Sequence, residues 1–282
     1  MNKKDRIPIL ATVSPATVWL VIFVAVPLFY IVLISFSAME NRKIVYEFTL
    51  ENYKDVFSML YASVYFDSFV IAFFNTVVCI LVGYPMAYFI AKAPKKKQKL
   101  YSTLLMIPFY TNLVIRLNGW RQILDKSGYI NKSLLTLHIV SDPIQFMNTR
   151  GAVILGMVYA LLPFMVLPLI SSINNLDKTL LEASYDLGLG KVKTFLHVTL
   201  PLTKPGIFSG TIMVFIPTMA YFFISDILGG GTHKLIGNLI QLQFNQSYNW
   251  PLGAAFSVIL IVLTLILVFI YKRSGGKMDS LV

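Results

Sequence analysis

The chain has 282 residues, of which 56% are hydrophobic and only 13% are charged, whereas soluble globular domains carry about 25% charged residues. This balance excludes a water-soluble enzyme, a disordered chain and a DNA-binding module. In a soluble protein the net charge of +11, from 24 Lys and Arg against 13 Asp and Glu, would suggest a nucleic-acid partner. In an apolar chain the same charges can instead follow from membrane topology.

Six apolar windows of the sequence are long enough to cross a bilayer, whose core of about 30 Å needs roughly 20 helical residues. The sequence therefore predicts an all-α integral membrane protein, a single transmembrane domain over residues 1–282, with both termini on the same side. The third window is the weakest, because Asn112 and Arg116 interrupt it. The predicted spans are Val13–Phe36, Phe69–Ile90, Leu100–Leu117, Ala152–Ile173, Gly206–Leu228 and Leu252–Tyr271.

The first window could also belong to a secretory signal, since Lys3, Lys4 and Arg6 precede it. The apolar part of such a signal is about 7–15 residues long and is followed by a small-residue cleavage site. This window is longer and lacks that site, which favours a retained helix.

The orientation follows from the lysines and arginines of the connections, which are more frequent on the cytoplasmic side. Fifteen lie on the side of the two termini and nine on the other side. Both termini are therefore predicted to be cytoplasmic. Because topology explains the basic surplus, no nucleic acid partner is expected.

The external connections are long, at about residues 37–68, 118–151 and 229–251, and loops of this length usually carry an interaction surface or short structure of their own. Within the third, residues 235–244 form an amphipathic stretch that is too short to span a membrane. It is interpreted either as an interfacial or re-entrant helix or as a packed cap.

The cytoplasmic connection at residues 174–204 differs from the others, because its pattern predicts two helices joined by a glycine turn. Asp177 or Thr179 can cap the first helix, and Thr179 and Glu182 have the spacing of a capping box. Glycines end the first helix and a proline ends the second. The residues concerned are Gly188 and Gly190 after the first helix, and Pro201 after a second helix at Lys191–Thr199.

Apolar and small residues recur at helical spacing along the first of these helices, at Leu176, Leu180, Ala183 or Ser184, and Leu187. Such a stripe either packs back on the protein's own helices or enters a groove on a partner protein. In the second case Ala183 and Ser184 would let the partner's backbone approach closely. Glu182 would then pair with a cation at the contact.

The loop reads Glu-Ala-Ser, three residues, Gly188, nine residues, then Val-x-Leu-Pro. It resembles the EAA loop of binding-protein-dependent (type I) ABC importer permeases, which reads Glu-Ala-Ala, three residues, Gly, nine residues, Ile-x-Leu-Pro. Ser184 and Val198 are the departures, and both are small changes. By resemblance, the residues expected to couple to an ATPase are Glu182, Ala183, Ser184, Leu187, Gly188, Val198, Leu200 and Pro201.

Other segments resemble the spermidine/putrescine permeases of that family, and the similarity runs from about Val13 to Tyr271. These segments are Gly83-Tyr84-Pro85 with Tyr88, Ile107–Asn112 with Ile115-Arg116, Leu161–Met165, and Ser225-Asp226 with Ile236-Gly237-Asn238. The resemblance implies a MetI-like fold and a polyamine importer, although permeases for other small solutes share the loop. It further implies a second homologous permease, two copies of a cytoplasmic ATPase and an external binding protein, with lipid around the helices. ATP and Mg²⁺ would bind to the ATPase, and no cofactor to this chain.

Ionisable groups inside a span are costly and therefore mark candidate functional sites. Asp226 follows Tyr221 and Phe222, and a carboxylate beside aromatic rings can hold an ammonium group, with about 0.5–2 kcal/mol per cation–π contact. The alternatives for Asp226 are a structural ion pair with Arg116 or Lys234, or simple contact with water at the membrane interface. Arg116 would repel a polycation and is expected to extend outward. Further pathway candidates, each of which could instead be structural, are Tyr110, Asn112 and Tyr159.

Two rival classes, a membrane enzyme and a stand-alone secondary transporter, explain the sequence less well. His138, His197 and His233 fall in different loops, the single cysteine excludes a cysteine-based metal site, and no phosphate-binding glycine loop is present. Secondary transporters often contain internal repeats, and none is recognised here. Neither rival accounts for the loop at residues 174–204, so the chain is expected to transport and not to catalyse.

Overall fold

The computed structural model describes residues 14–273 and is mostly helical. A short antiparallel hairpin pairs β1 (Ala38–Glu40) with β2 (Lys43–Val45). The basic N-terminal residues and Lys277, on which the predicted position of the termini depends, lie outside the described residues. The helices are α1 Ser14–Ser35, α2 Glu51–Val56, α3 Met59–Lys92, α4 Lys95–Met106, α5 Leu113–Leu124, α6 Tyr129–Thr136, α7 Arg150–Asn174, α8 Lys178–Asp186, α9 Lys191–Leu202, α10 Lys204–Ala220, α11 Phe222–Gly229, α12 Ile236–Asn245 and α13 Trp250–Arg273.

Four described helices are long and apolar enough to cross a membrane: α1, α3, α7 and the part of α13 at Trp250–Ile270. Two further pairs of helices, each bent at a short break, pass the same test only when the pair is taken as one span. Lys95–Tyr110 meets Leu113–Thr136 at 88°, and α9 meets α10 at 62°. Six crossings are reached if each bent pair is one span.

The third predicted span, Leu100–Leu117, is therefore not one straight helix. The chain tightens into a 3₁₀ turn at Ile107–Tyr110, which contains Pro108, a residue without a backbone N–H to continue an α-helix. Asn112 then starts α5 as its N-cap, with its side-chain oxygen accepting the Val114 N–H at 2.8 Å. The fifth predicted span, Gly206–Leu228, is likewise interrupted at Tyr221, four residues after Pro217.

The described residues form two compact units, and the larger comprises residues 63–238 and 263–273. Its centre is α7, which packs against α10, α11 and α5. Small residues bring α7 and α10 close, since a Cβ on Gly206 would meet Ser172 at 2.5 Å and one on Gly210 would meet Met165 at 2.6 Å. The buried Asn75 side chain of α3 donates to the Thr218 hydroxyl of α10 at 2.7 Å, which is the interhelical bond expected of an amide inside a span.

The smaller unit comprises residues 14–62 and 239–262. Asn52 joins α2 to the end of α1, because its amide donates to the carbonyls of Ser35 and Ser37 at 3.1 and 2.8 Å. Tyr61 packs edge-on against the buried Phe256 of α13, with ring centroids 4.9 Å apart.

The amphipathic stretch 235–244 folds as α12 at Ile236–Asn245. Leu235 and Ile236 are buried, and the Ile236 N–H donates to the Ser68 hydroxyl at 3.0 Å. This burial favours the packed-cap interpretation for the start of the helix.

Candidate functional site: coupling segment and substrate pathway

The coupling segment, residues 174–204, contains the two predicted helices, α8 and α9. Asp177 is the N-cap of α8 and accepts the Thr179 N–H at 2.9 Å. This bond lowers the pKa of the Asp177 carboxyl below its ordinary value. Thr179 lies inside the first turn, so the capping box predicted for Thr179 and Glu182 is wrong.

Gly188 ends α8 in a left-handed conformation, with φ of +80°. Its N–H donates to the Tyr185 carbonyl at 2.9 Å, and the Leu189 N–H donates to the Ser184 carbonyl at 3.1 Å. These two bonds are the Schellman motif. A Cβ on Gly188 would meet no atom within 4 Å. Glycine is therefore needed at this position for its backbone conformation and not for space.

Ser184 faces the interior of the coupling segment. Its hydroxyl lies 2.7 Å from the Leu181 carbonyl and 3.0 Å from the Thr194 hydroxyl of α9, and the residue is buried. The expectation that Ser184 gives room to a partner's backbone is therefore wrong, because that room is filled by α9. Ala183 remains exposed.

The predicted apolar stripe is covered in two places: Leu176, just before α8, packs on the core, and Ser184 packs on α9. Leu180 and Leu187 are exposed, Leu187 to 81%, and Val192 of α9 is 71% exposed. Glu182 is also exposed and forms no ion pair with any residue in 14–273. It lines an open cleft of about 1180 Å³ together with Tyr185 and Lys178. The two leucines of α8 are thus not packed back on the described chain, which favours a partner as their cover.

Helix α9 connects the coupling segment to α3. The Phe195 ring lies edge-on to the rings of Tyr84 and Tyr88, with centroids 5.5 and 5.6 Å apart. The Tyr84 hydroxyl lies 2.7 Å from the Thr203 hydroxyl just after α9. Sequence reasoning noted the two tyrosines but missed Phe195 and Thr203, because nothing in a helical pattern indicates which distant helix they contact.

Pro201 does not end the second helix as predicted. Helix α9 continues to Leu202, and Val198 lies in a π-helical turn at Phe195–Thr199 just before the proline. Such a turn changes the hydrogen-bond pattern locally and accommodates a residue without an N–H. Leu200 packs on the core, while Pro201 is exposed.

Asp226 lies exposed on α11, where its Oδ1 accepts a hydrogen bond from the Asn238 amide at 2.7 Å. The Asn238 side-chain oxygen in turn accepts the Leu235 N–H at 2.8 Å, so both ends of the amide are fixed. Within residues 14–273, neither Arg116 nor Lys234 forms an ion pair with Asp226. The ion-pair alternative for Asp226 is therefore wrong for the described part of the chain.

The other pathway candidates occupy different environments. Tyr221 is the half-buried junction between α10 and α11, and the Phe222 ring stacks on Phe223 at 4.2 Å. Tyr110 is 83% exposed, and Asn112 is used as the helix cap described above. No three His, Cys, Asp or Glu side chains among residues 14–273 could hold a metal ion together.

Arg116 does not extend outward as expected. Its guanidinium carbon lies 5.1 Å from the Phe109 ring centroid and 5.4 Å from the Tyr159 centroid. The Nε and Nη1 atoms are buried and have no hydrogen-bond partner. Unsatisfied buried donors cost about 1–3 kcal/mol each, and the two cation–π contacts, at about 0.5–2 kcal/mol each, offset a cost of the same order.

Comparison with known proteins agrees with this architecture. The chain is 43% identical over 263 residues to the spermidine/putrescine transport system permease protein PotB of Escherichia coli K12, covering 93% of this chain and 96% of that protein. It is 41% identical to the PotB of Haemophilus influenzae, covering 99% of this chain and 96% of that protein.

Among solved structures, a bacterial ABC transporter that imports the acidic polysaccharide alginate has a chain that aligns with a TM-score of 0.68 at 16% identity, with 96% of both chains covered. The methionine ABC transporter MetNI aligns with a TM-score of 0.54 at 17% identity, covering 74% of this chain and 91% of that one. These likenesses show the MetI-like permease fold. Residues 13–279 match the family described as binding-protein-dependent transport system inner membrane component. The chain therefore belongs to this family and is a multi-pass permease of a bacterial inner membrane.

Proposed function

We propose that the chain is the permease subunit of an ATP-driven importer for polyamines such as spermidine and putrescine. The observation that carries this proposal is the identity of 43% to a spermidine/putrescine permease over nearly the full length of both proteins. The chain would form half of the translocation pathway. A second, homologous permease would form the other half, an external binding protein would deliver the substrate, and two ATPase copies would bind ATP and Mg²⁺.

The exposed apolar face of α8 supports the proposed contact with the ATPase. Leu180 and Leu187 lack a cover within the described chain, and Glu182 lacks an ion-pair partner there. A groove on the ATPase would cover the leucines in the helix-in-groove mode. Movement of α8 would then reach the membrane helices through Phe195 of α9, which packs against α3.

The carboxylate of Asp226 supports a cationic substrate. It is exposed, oriented by Asn238 and free of ion pairs within residues 14–273, so its charge is available to an ammonium group. Tyr221 and Phe222, on the same short segment, would contact the methylene stem. The pathway would then alternate between outward- and inward-facing states.

The proposal is tested in cells that lack other polyamine uptake and express the complete transporter. We expect saturable, ATP-dependent uptake of labelled spermidine or putrescine. A Leu187→Glu substitution should abolish uptake and copurification of the ATPase while the chain stays in the membrane. Leu137→Glu, at another exposed leucine that is far from α8 in sequence, should change neither. Uptake of another solute class and not of polyamines would contradict the substrate. Normal ATPase binding by Leu187→Glu would contradict the coupling surface.

A further inference from the structure

A half-buried cation without an anion among residues 14–273 occupies an aromatic site in the larger unit. The Arg116 guanidinium carbon lies 5.1 and 5.4 Å from the ring centroids of Phe109 and Tyr159, and we call these two rings the ring pair. Each is supported by a further aromatic ring packed edge-on at 5.6 Å, Phe164 against Phe109 and Trp120 against Tyr159. The negative faces of aromatic rings attract cations, so the site is built for a positive charge.

The guanidinium is poorly satisfied where it lies. Nε and Nη1 are buried and donate to nothing, and no carboxylate among residues 14–273 forms an ion pair with Arg116. Because these atoms are already enclosed by the chain, an acceptor from outside cannot reach them unless Arg116 moves. Buried charges are normally paired and buried donors normally bonded. Leaving the ring pair would let the long Arg116 side chain regain its hydrogen bonds in water.

The ring pair lies next to the surface, because Tyr110 beside Phe109 is exposed and Asn112, one turn before Arg116, is exposed too. An alkylammonium group is likewise a cation that aromatic faces attract, so it can take the place of the guanidinium at the ring pair. We propose that the ring pair is a cation site of the substrate pathway, that Arg116 occupies it when no substrate is present, and that an ammonium group of the polyamine replaces Arg116. This proposal rests on the proposed function for the identity of the cation.

The first test measures polyamine uptake by the complete transporter with Arg116→Met, which removes the charged guanidinium and keeps an unbranched apolar stem. The half-saturating concentration should fall by about three- to tenfold, because the apparent dissociation constant scales inversely with the fraction of time the site is free. Arg116→Lys, which restores a competing cation, should stay near the wild-type value. An unchanged or raised half-saturating concentration for Arg116→Met at normal membrane levels would overturn the proposal.

A second pair of variants leaves Arg116 in place and guards against misfolding of the first. Tyr159→Leu removes the ring and should raise the half-saturating concentration, and Tyr159→Phe, which keeps the ring, should raise it less. Equal values for the two variants would show that the ring does not bind the substrate.

A third test does not depend on polyamine transport. In the assembled transporter carrying Arg116→Cys with Cys79→Ala, modification of this chain by methanethiosulfonates of opposite charge is followed by mass spectrometry. The emptied ring pair should favour the ethylammonium over the ethylsulfonate reagent, and spermidine should slow the reaction. If the wild type takes up no polyamine, the proposed function fails, and the reagent preference still decides whether the ring pair is a cation site. Equal rates for both reagents would overturn the proposal that the ring pair is a cation site.

Discussion

The hydroxyl groups of Tyr84 and Thr203 lie 2.7 Å apart, although 119 residues separate them in the chain. Tyr84 belongs to α3, and Thr203 lies at the 62° bend between α9 and α10. Both residues are buried. The bond therefore fixes a membrane helix to the end of the coupling segment, at the point where a movement of α8 and α9 would enter the bundle.

Tyr84→Phe removes this bond and keeps the ring against Phe195. We expect a loss of about 1 kcal/mol from the contact between α3 and the bend, seen as less substrate transported per ATP hydrolysed. The Thr203 hydroxyl still donates to the Thr199 carbonyl at 2.9 Å, so the fold should persist.

Tyr88→Phe is the matched control, since Tyr88 also packs on Phe195 and should keep the wild-type ratio. The double variant Tyr84→Phe with Thr203→Val should lose no more than the larger single effect, because both substitutions remove the same bond. Fully additive losses would mean that the two hydroxyls act separately.

Gly188→Val should weaken uptake, because a β-branched residue in the left-handed region costs roughly 1–2 kcal/mol. Gly188→Asn should be milder, since asparagine tolerates this region, and the space around the glycine is open. ATPase copurification and uptake are measured together. Gly190→Ala, at an ordinary φ of −70°, serves as the control. Equal effects of Val and Asn would show that the side chain, and not the backbone, matters at Gly188.

Asp226→Asn should raise the half-saturating polyamine concentration by about tenfold or more, because a charge-assisted contact of roughly 1.5–3 kcal/mol is lost. Asn238→Leu should raise it less, since the carboxylate remains but loses its orienting donor at 2.7 Å. The half-saturating concentrations of the two variants are compared by uptake kinetics at equal membrane levels of the chain. An unchanged value for Asp226→Asn would remove this residue from the pathway.

Asp177→Ala should speed amide hydrogen exchange in the first turn of α8, because the cap to the Thr179 N–H is lost. Asp177→Asn should preserve protection, since asparagine caps equally well. The Asp177 pKa is lowered in the folded chain, so the ionised cap stabilises α8 above the ordinary pKa of an aspartate. That stabilisation is lost as the pH falls through the lowered value. Exchange that is equally fast in both variants would exclude this role of the side chain.

Much of the site could be predicted from the sequence where the signal is local. The two helices of residues 174–204 follow from the spacing of their apolar residues, and Gly188 follows from the need for a left-handed residue after α8. An amide inside a span favours a hydrogen bond to a neighbouring helix, and the bond from Asn75 to Thr218 is of this kind. The sequence alone does not decide between Asp177 and Thr179 as the N-cap, because both residue types cap helices and the two positions are only two residues apart.

The sequence by itself determined that this chain is an apolar, multi-pass helical protein with a helical coupling segment between α7 and α10, because composition and periodicity are properties of the chain. Only the tertiary structure decided which face each helix buries. It turned Ser184 inward onto Thr194, placed Arg116 between Phe109 and Tyr159, and joined Tyr84 to Thr203. Periodicity cannot give these contacts, since each depends on helices from distant parts of the chain or on side-chain directions that packing fixes only after the bundle has formed.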